Sequence, residues 1–497
     1  MSIQTNSEPL CRIPAGEGAG EKTGAPAFWP LMAAGSVLLF FSSMRYGVAE
    51  LGWIAFAPFL AAMHVEGGLK RHLWLFAVVL AAMTMTVGKI ITDQVPWFMA
   101  PMFSVPAAVF CFAAISISAA GHRRLGLRWG MYLFPALAVT IEWLQYSFTD
   151  SGSWGALAYT QVDNLPLMQL ASLTGITGIS FLVGLGSSIA AAAYTAGPRA
   201  VKRDFILFAV LASAALVYGQ QRLSHEAPGA PMRVAAVSSP IQAAELLAAK
   251  DDISVLRKYD GELFARTEKA AALGAKAAVW NEAATILLPA DEVAFTARGQ
   301  AMAKEKGISI VMAYAVLLSA DPFHYENKYR MILPDGTVGD EYFKRHPVPG
   351  DMHDAGTRRA KVIPVTGGAL GGAICYDFDF PHIALDNARD GAGLVLLPSS
   401  DWKGIDPIHS RMARANAVAA GVSMVRSVRN ATSLATDQYG RELAAMRFGG
   451  EGDGVMVAAV PARAVPTLYA RTGDVLPWLT LAFSAIAIAL MTRRKRV

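Results

Sequence analysis

Eight apolar runs, at 28–44, 51–65, 73–91, 102–120, 129–147, 170–196, 204–221 and 475–492, restrict this chain more than any other feature of its sequence. A helix of about 20 apolar residues spans a bilayer, and there the backbone must satisfy its own hydrogen bonds. The runs therefore predict a polytopic helical membrane domain over 28–222, with a single C-terminal helix in 466–497. The first two runs are the shortest and the least able to cross at right angles.

The loops between the runs alternate in charge. Lys70-Arg71-His72, then Arg123, Arg124 and Arg128, then Arg199, Lys202 and Arg203 occupy every second loop. The loops between them hold Glu50, Asp93, Asp150 and Asp163. Cations collect on the cytoplasmic side of a membrane, which assigns the tail 1–27 and the terminal Arg493-Arg494-Lys495-Arg496 to the cytoplasm. Seven crossings from a cytoplasmic start place residues 223–465 on the outer face, and the eighth returns the chain. Charge and crossing number point the same way.

Only 17% of the residues are charged, against about 25% in soluble proteins. The net charge of +5 lies in loops between apolar runs, so topology accounts for it and no nucleic-acid partner is expected. Three cysteines, one of them (Cys111) inside an apolar run, exclude a disulfide framework. Cys11 precedes every apolar run, which separates it from a cleaved lipoprotein signal. The nine histidines show no paired ligand spacing, and no Gly-rich phosphate loop is followed by Lys-Ser/Thr, so neither a metal nor a cofactor is expected.

Residues 223–465 alternate β-rich and helical stretches, the pattern of a layered α/β domain. Strands are expected at Met232–Val237, Ala277–Trp280, Ile308–Ala315, Asn327–Leu333, Val338–Phe343, Ala369–Cys375 and Leu394–Pro398. Helices are expected over 254–272, near 291–305, from Pro381 and near 407–420. Three chemically capable residues, Glu282, Lys344 and Cys375, then fall at or just after strand ends, where active sites of such domains gather. Each has a plainer reading alone: a core thiol, a solvated lysine, a carboxylate at a helix start.

The contexts of these three residues carry a resemblance. Val279-Trp280-Asn281-Glu282, Tyr342-Phe343-Lys344-Arg345-His346-Pro347-Val348-Pro349 and Gly372-Ala373-Ile374-Cys375-Tyr376-Asp377 are similar to the three signatures of the nitrilase superfamily. Glu142-Trp143-Leu144, Gly152-Ser153-Trp154-Gly155, Tyr159-Thr160-Gln161, the run Gly175–Phe181 and Thr467–Asp474 resemble its membrane-bound branch, the apolipoprotein N-acyltransferases. The resemblance covers nearly the whole chain beyond the first ~25 residues, in order.

It implies a four-layer α-β-β-α sandwich on a membrane domain in the bacterial inner membrane, with the sandwich at the periplasmic face. It also implies a Glu282–Lys344–Cys375 triad, a phospholipid acyl donor and a diacylated apolipoprotein as acceptor. A thiol is a weak nucleophile until it is deprotonated, so Glu282 would act as base while Lys344 and a backbone N–H near Cys375 stabilise the oxyanion. Asp351, Tyr376, Asp377 and Trp402 are supporting or substrate-binding candidates by the same resemblance. Asp351 stands where the family has a loop glutamate, and Asp377 replaces a common glutamate. Glu142, at the outer end of a membrane run, is assigned to orienting the outer loops. The glycines of Gly175-x-x-Gly178 and Gly184-x-Gly186 read as helix packing.

Some positions depart from the family pattern around the same site. Ser399-Ser400-Asp401-Trp402-Lys403-Gly404 replaces Asn-Asp-Ala-Trp-Phe-Gly, Asn416 and Ala419 replace an arginine and a glutamate, and Val428-Arg429-Asn430-Ala431 replaces a Thr-Asn-Asn-Gly-like run. Ser238-Ser239-Pro240 ends the first strand where Gln-Asn is commoner. A membrane-anchored amidase or acyltransferase with another acceptor is the second reading of such a rim, and a non-catalytic scaffold the third.

Overall fold

The computed structural model describes residues 27–64, 68–92, 95–239, 241, 254–447 and 454–493. The expectations for the tail 1–26, Asp93, Pro240 and residues 494–497 lie outside the described residues.

Five helices are long and apolar enough to cross a membrane: Leu69–Gly88, Trp97–Leu125, Thr177–Ala196, Lys202–Leu223 and Val475–Arg493. Phe28–Ser42 is apolar but has 15 residues, and Leu127–Phe148 has 22. The run 51–65 is not one helix. It breaks into Ala49–Gly52 and Ala57–His64, because Pro58 lacks the N–H that would bond back to residue 54. The polar groups freed at the break find Ser187, whose hydroxyl donates to Trp53 O (3.1 Å) and accepts from Phe56 N (3.3 Å). The run 170–196 is likewise interrupted, by Gly175 at φ +66°.

The cationic loops meet at one end of this bundle. Arg71 and Arg123 donate to the carbonyls of Ala62 and Met63, Arg124 donates to Met491 O, and His64 stacks on His122. The sandwich sits at the other end, against residues 88–92, 149–161 and 468–474.

The sandwich contains thirteen described strands. The first sheet holds β1 (Pro231–Val237), β2 (Ala277–Trp280), β3 (Ile286–Leu287), β4 (Ser309–Ala320), β5 (Phe323–Ile332) and β6 (Val338–Phe343). The second holds β7 (Ile363–Val365), β8 (Gly368–Gly372), β9 (Leu394–Ser400), β10 (Ser423–Arg429), β11 (Ser433–Thr436) and β12 (Glu442–Met446); β13 (Val455–Pro461) returns to the first sheet beside β1. The orders are β13-β1-β2-β4-β5-β6, with β3 beside β4, and β12-β11-β10-β9-β8-β7.

Side-chain alternation builds the four layers. Val234 and Ala236 of β1 face Leu370, Leu396 and Val425 of the other sheet, while Ala235 and Val237 face Leu263 and Phe264 of the helix Ser254–Ala272. Val395 and Leu397 of β9 turn outward onto Ile383, Ala413 and Ala417 of the helices Pro381–Arg389 and Ile408–Ala420. The result is an α-β-β-α sandwich whose inner strands β1, β2, β8, β9 and β10 include three parallel pairs.

Candidate active site

Parallel strands that end together deliver their following residues to one place, and here β2, β6, β8 and β9 deliver four charged or nucleophilic side chains. Glu282 follows β2, Lys344 follows β6, and Asp401 follows β9. Cys375 opens a 3-10 turn at φ +47°, a left-handed conformation that a side-chain-bearing residue adopts only when its surroundings hold it there. The expected strand Ala369–Cys375 thus stops at Gly372. That glycine lets Tyr329 cross close by, since a Cβ there would overlap its hydroxyl.

The three residues singled out by sequence come together with Asp351. Lys344 Nζ lies 2.8 Å from Glu282 Oε1 and 3.3 Å from Asp351 Oδ2. Asn327 Nδ2 donates to the same Glu282 oxygen at 2.8 Å and so fixes it from a second side. Burial alone would depress the Lys344 ammonium, but Glu282, Asp351 and Cys375 outweigh it and hold its pKa well above the ordinary lysine value. Burial would raise Asp351; the His353 bond and the Lys344 charge outweigh that and keep it at about 2.

The thiol of Cys375 is pushed up by burial first, and by Glu282 and Asp401 next, against Arg426 and Lys344. It therefore rests protonated, and its chemistry needs a base. The sulfur lies 3.8 Å from Ser400 O and 3.9 Å from Asp401 Oδ1.

Asp377 is buried and pins the lysine loop to the cysteine turn. It accepts from Tyr342 Oη (2.8 Å), from the N–H groups of Arg345 (3.0 Å) and His346 (2.8 Å), and from that of Ile374 (3.1 Å). Burial raises its carboxyl to about 6 in spite of the Lys344 charge and these bonds. Tyr376 donates to Asp150 O at 2.8 Å, reaching the loop after the helix Leu127–Phe148. Trp402 donates to Ile90 O at 2.6 Å, and Gly404 beside it packs on that same carbonyl. Glu142 accepts the N–H of Leu157 at 2.8 Å, which ties the outer loop to its helix.

Behind the sulfur stands a second cluster that the sequence reading passed over. Both oxygens of Asp401 take the Arg426 guanidinium at 2.8 Å, His409 Nδ1 lies 2.8 Å from Asp401, and His409 Nε2 lies 3.0 Å from Asp379. Cys375, Asp401 and His409 offer ligand atoms within 4.8 Å of one another, a grouping that would suit a metal ion. The Arg426 charge on Asp401 already fills the cationic role there. The only sequence signal was the altered stretch at 399–404, since Asp379, His409 and Arg426 sit on separate elements.

The departures from the family pattern serve the frame. Arg429 donates to Ser400 Oγ (3.0 Å) and to the carbonyls of Ala283 (3.1 Å) and Glu282 (3.3 Å), so it braces the turn that carries Glu282. Asn416 Nδ2 donates to Phe378 O at 2.9 Å and braces the cysteine turn.

Cys375, Tyr376 and Trp402 open on a cavity of about 260 Å³ that continues between the membrane helices, past Glu142 and Trp154 to Phe110 and Phe134. Its lining is mostly apolar.

Residues 35–189 match the apolipoprotein N-acyltransferase N-terminal domain, and residues 245–468 match carbon-nitrogen hydrolase. The apolipoprotein N-acyltransferase of Geobacter metallireducens is 28% identical over 508 residues, spanning 93% of this chain and 94% of its own. That of Bradyrhizobium diazoefficiens is 31% identical over 415 residues, spanning 72% and 73%. Among solved structures, an amidase from Nesterenkonia sp. aligns over 50% of this chain and 96% of its own, at 18% identity and a TM-score of 0.36.

Proposed function

The chain belongs to the apolipoprotein N-acyltransferase family, and from that premise we propose that it moves a fatty acyl group from a phospholipid, through a thioester on Cys375, to the α-amine of a lipid-modified N-terminal cysteine. One observation carries the reading: the nucleophile opens on an apolar cavity that runs between membrane helices, where an acyl chain belongs and a soluble amide does not.

In the first half-reaction Glu282 takes the thiol proton, the sulfur attacks the ester carbonyl, and Lys344 meets the oxyanion that develops. The tetrahedral adduct collapses to the thioester, and the proton held by Glu282 passes to the departing lysophospholipid oxygen. In the second, the acceptor amine attacks the thioester, Glu282 takes its proton, and the departing thiolate recovers that proton from Glu282, restoring the resting thiol and free base. Asp351 keeps Lys344 charged and placed through both halves, Asp377 holds the two loops in register, and Tyr376 and Trp402 wall the acyl entrance.

The multi-pass membrane setting orients this chemistry. The cationic ends of the helices lie opposite the sandwich, so the positive-inside rule supports a periplasmic catalytic domain formed by residues 223–465 and a membrane domain formed by 28–222 with the helix of 466–497.

Intact-protein mass spectrometry of the wild type with its native phospholipids, beside Cys375→Ser, tests the reading. A fatty-acyl adduct mapped to Cys375 and discharged by a diacylated lipopeptide is the expected result. An adduct that only water or another amine discharges would overturn the acceptor, and no adduct on the folded protein would overturn the thioester.

A further inference from the structure

Asp379 takes the hydrogen bonds by which the membrane domain touches the charged cluster behind Cys375, and the Trp154 ring also packs 5.5 Å from the His409 ring. The indole of Trp154, in the loop that follows the helix Leu127–Phe148, donates to Asp379 Oδ2 at 2.8 Å. Ser153, beside it, donates to Asp379 O through both its N–H (2.9 Å) and its hydroxyl (2.6 Å). From Asp379 the contacts run through the His409 ring to Asp401 and end 3.9 Å from the Cys375 sulfur. His409 Nδ1 lies between Asp401 Oδ1 (2.8 Å) and Arg426 Nη2 (2.9 Å), and Nε2 faces Asp379. The two carboxylates outweigh burial and the guanidinium and hold the ring charged. Two anions and two cations, counting Arg426, thus balance in a fully buried cluster.

We propose that Asp379, His409 and Asp401 are positioning residues that set the Cys375 sulfur only when the membrane-domain loop carrying Ser153 and Trp154 is seated on them. A buried hydrogen-bonded chain of this kind has one geometry, because any break leaves a charge unpaired in the interior. Trp154 also lines the apolar cavity, so the residue that feeds the relay is one an acyl chain touches. The sandwich alone would carry all of the triad and lack this contact. The inference rests on the reading of Cys375 as the acyl carrier, but its test does not.

The test is the pH profile of Cys375 alkylation by iodoacetamide in the full-length protein, read by peptide mass mapping. The charged groups that act on the sulfur are Glu282, Lys344, Asp401, Arg426 and Arg429, with the Tyr376 hydroxyl next in the chain. Asp401→Asn removes an anion beside the thiol and moves the profile to lower pH by about one unit. His409→Gln leaves the Asp401 charge less neutralised and moves it to higher pH by about one unit. Trp154→Phe, a change in another domain that keeps the ring, moves it the same way as His409→Gln by a few tenths.

Loss of fold alone cannot produce shifts of opposite sign. If Asp401→Asn does not fold, the pair His409→Gln and Trp154→Phe still decides. A Trp154→Phe profile that superposes on the wild type or moves opposite to His409→Gln, or a folded Asp401→Asn that moves the same way as those two, overturns the proposal. Opposed shifts without any acyl adduct would retain the relay and remove the acyltransferase reading.

Discussion

On one side of Cys375 stand Glu282, Lys344 and Asp351; on the other, Asp401, Arg426 and Asp379 are buried, with His409 between them and the wall of the cavity. Asp351 alone opens the front cluster to solvent, at 31% side-chain exposure; Glu282 (7%) and Lys344 (2%) are nearly as buried as Asp401 (1%) and Arg426 (0%). The front cluster has three members and an excess of carboxylate, so one of its acids can take a proton during turnover. The rear cluster is charge-balanced and every carboxylate in it is committed. Reactive charge needs a free partner, and structural charge needs none left free. Mutating the two sides should therefore cost different things.

The largest effect is expected at the front. Glu282→Gln removes the proposed base, and acyl-enzyme formation, followed as lysophospholipid release, should fall by about 10²–10⁴-fold. Its thermal midpoint should hardly move, because Lys344 keeps Asp351 as a partner. A variant that melts early would place Glu282 with the rear cluster and erase the distinction.

At the rear the cost should be stability. Asp401→Asn leaves Arg426 buried without its carboxylate, and breaking such a pair costs about 3–5 kcal/mol. Thermal unfolding in detergent should show a large drop in midpoint. An unchanged midpoint would mean that the cluster is not the closed unit its bonds describe.

His409 gives the same contrast a pH dependence. Burial alone would depress its pKa, but Asp379 and Asp401 outweigh burial and raise it to about 9 from 6.5. A raised folded pKa stabilises below the unfolded value, so the contribution is complete below about 6.5 and is lost as pH rises through about 9. The shift corresponds to about 3 kcal/mol. The wild type should lose melting temperature over that window and His409→Gln should lose less. The front cluster predicts no such slope, since Asp351, held near 2, stabilises above about 4 and gives way only in strong acid.

The two clusters were not equally legible in the sequence. Glu282, Lys344 and Cys375 were legible because each sits in a motif long enough to be specific; periodicity alone would not have picked them out, since β2 is apolar and buried throughout. The rear residues give no such signal: His409 and Arg426 lie inside a helix and a strand, 17 positions apart, and meet Asp379 only through tertiary packing. Asp401 was visible only as a departure, without a partner to explain it. In the membrane domain apolar runs located the helices, but hydropathy alone passed over the break at Trp53–Phe56 that Pro58 signals, and the Ser187 that satisfies its freed groups lies on a distant helix. The strands β10 to β13 were missed as well. β10 is buried along its whole length, so it carries no alternation to read.

Trp402 gives the smallest expected effect and the finest test of the contrast, because it follows Asp401 directly yet joins neither cluster. Its indole donates to Ile90 O, a carbonyl beyond the end of the helix Leu69–Gly88, and its ring walls the cavity. Trp402→Phe keeps most of the wall and deletes the donor, so the seam should lose about 1 kcal/mol and the melting point should fall slightly. Acyl-enzyme formation should stay within about twofold, since the Trp402–Ile90 bond is no part of the hydrogen-bonded chain from Asp379 to Asp401. If Trp402→Phe instead moves the Cys375 alkylation profile as Trp154→Phe is expected to, any loosening of the seam reaches the nucleophile. The path through Asp379 and His409 would then have no special standing, and the rear cluster would be packing that happens to be charged.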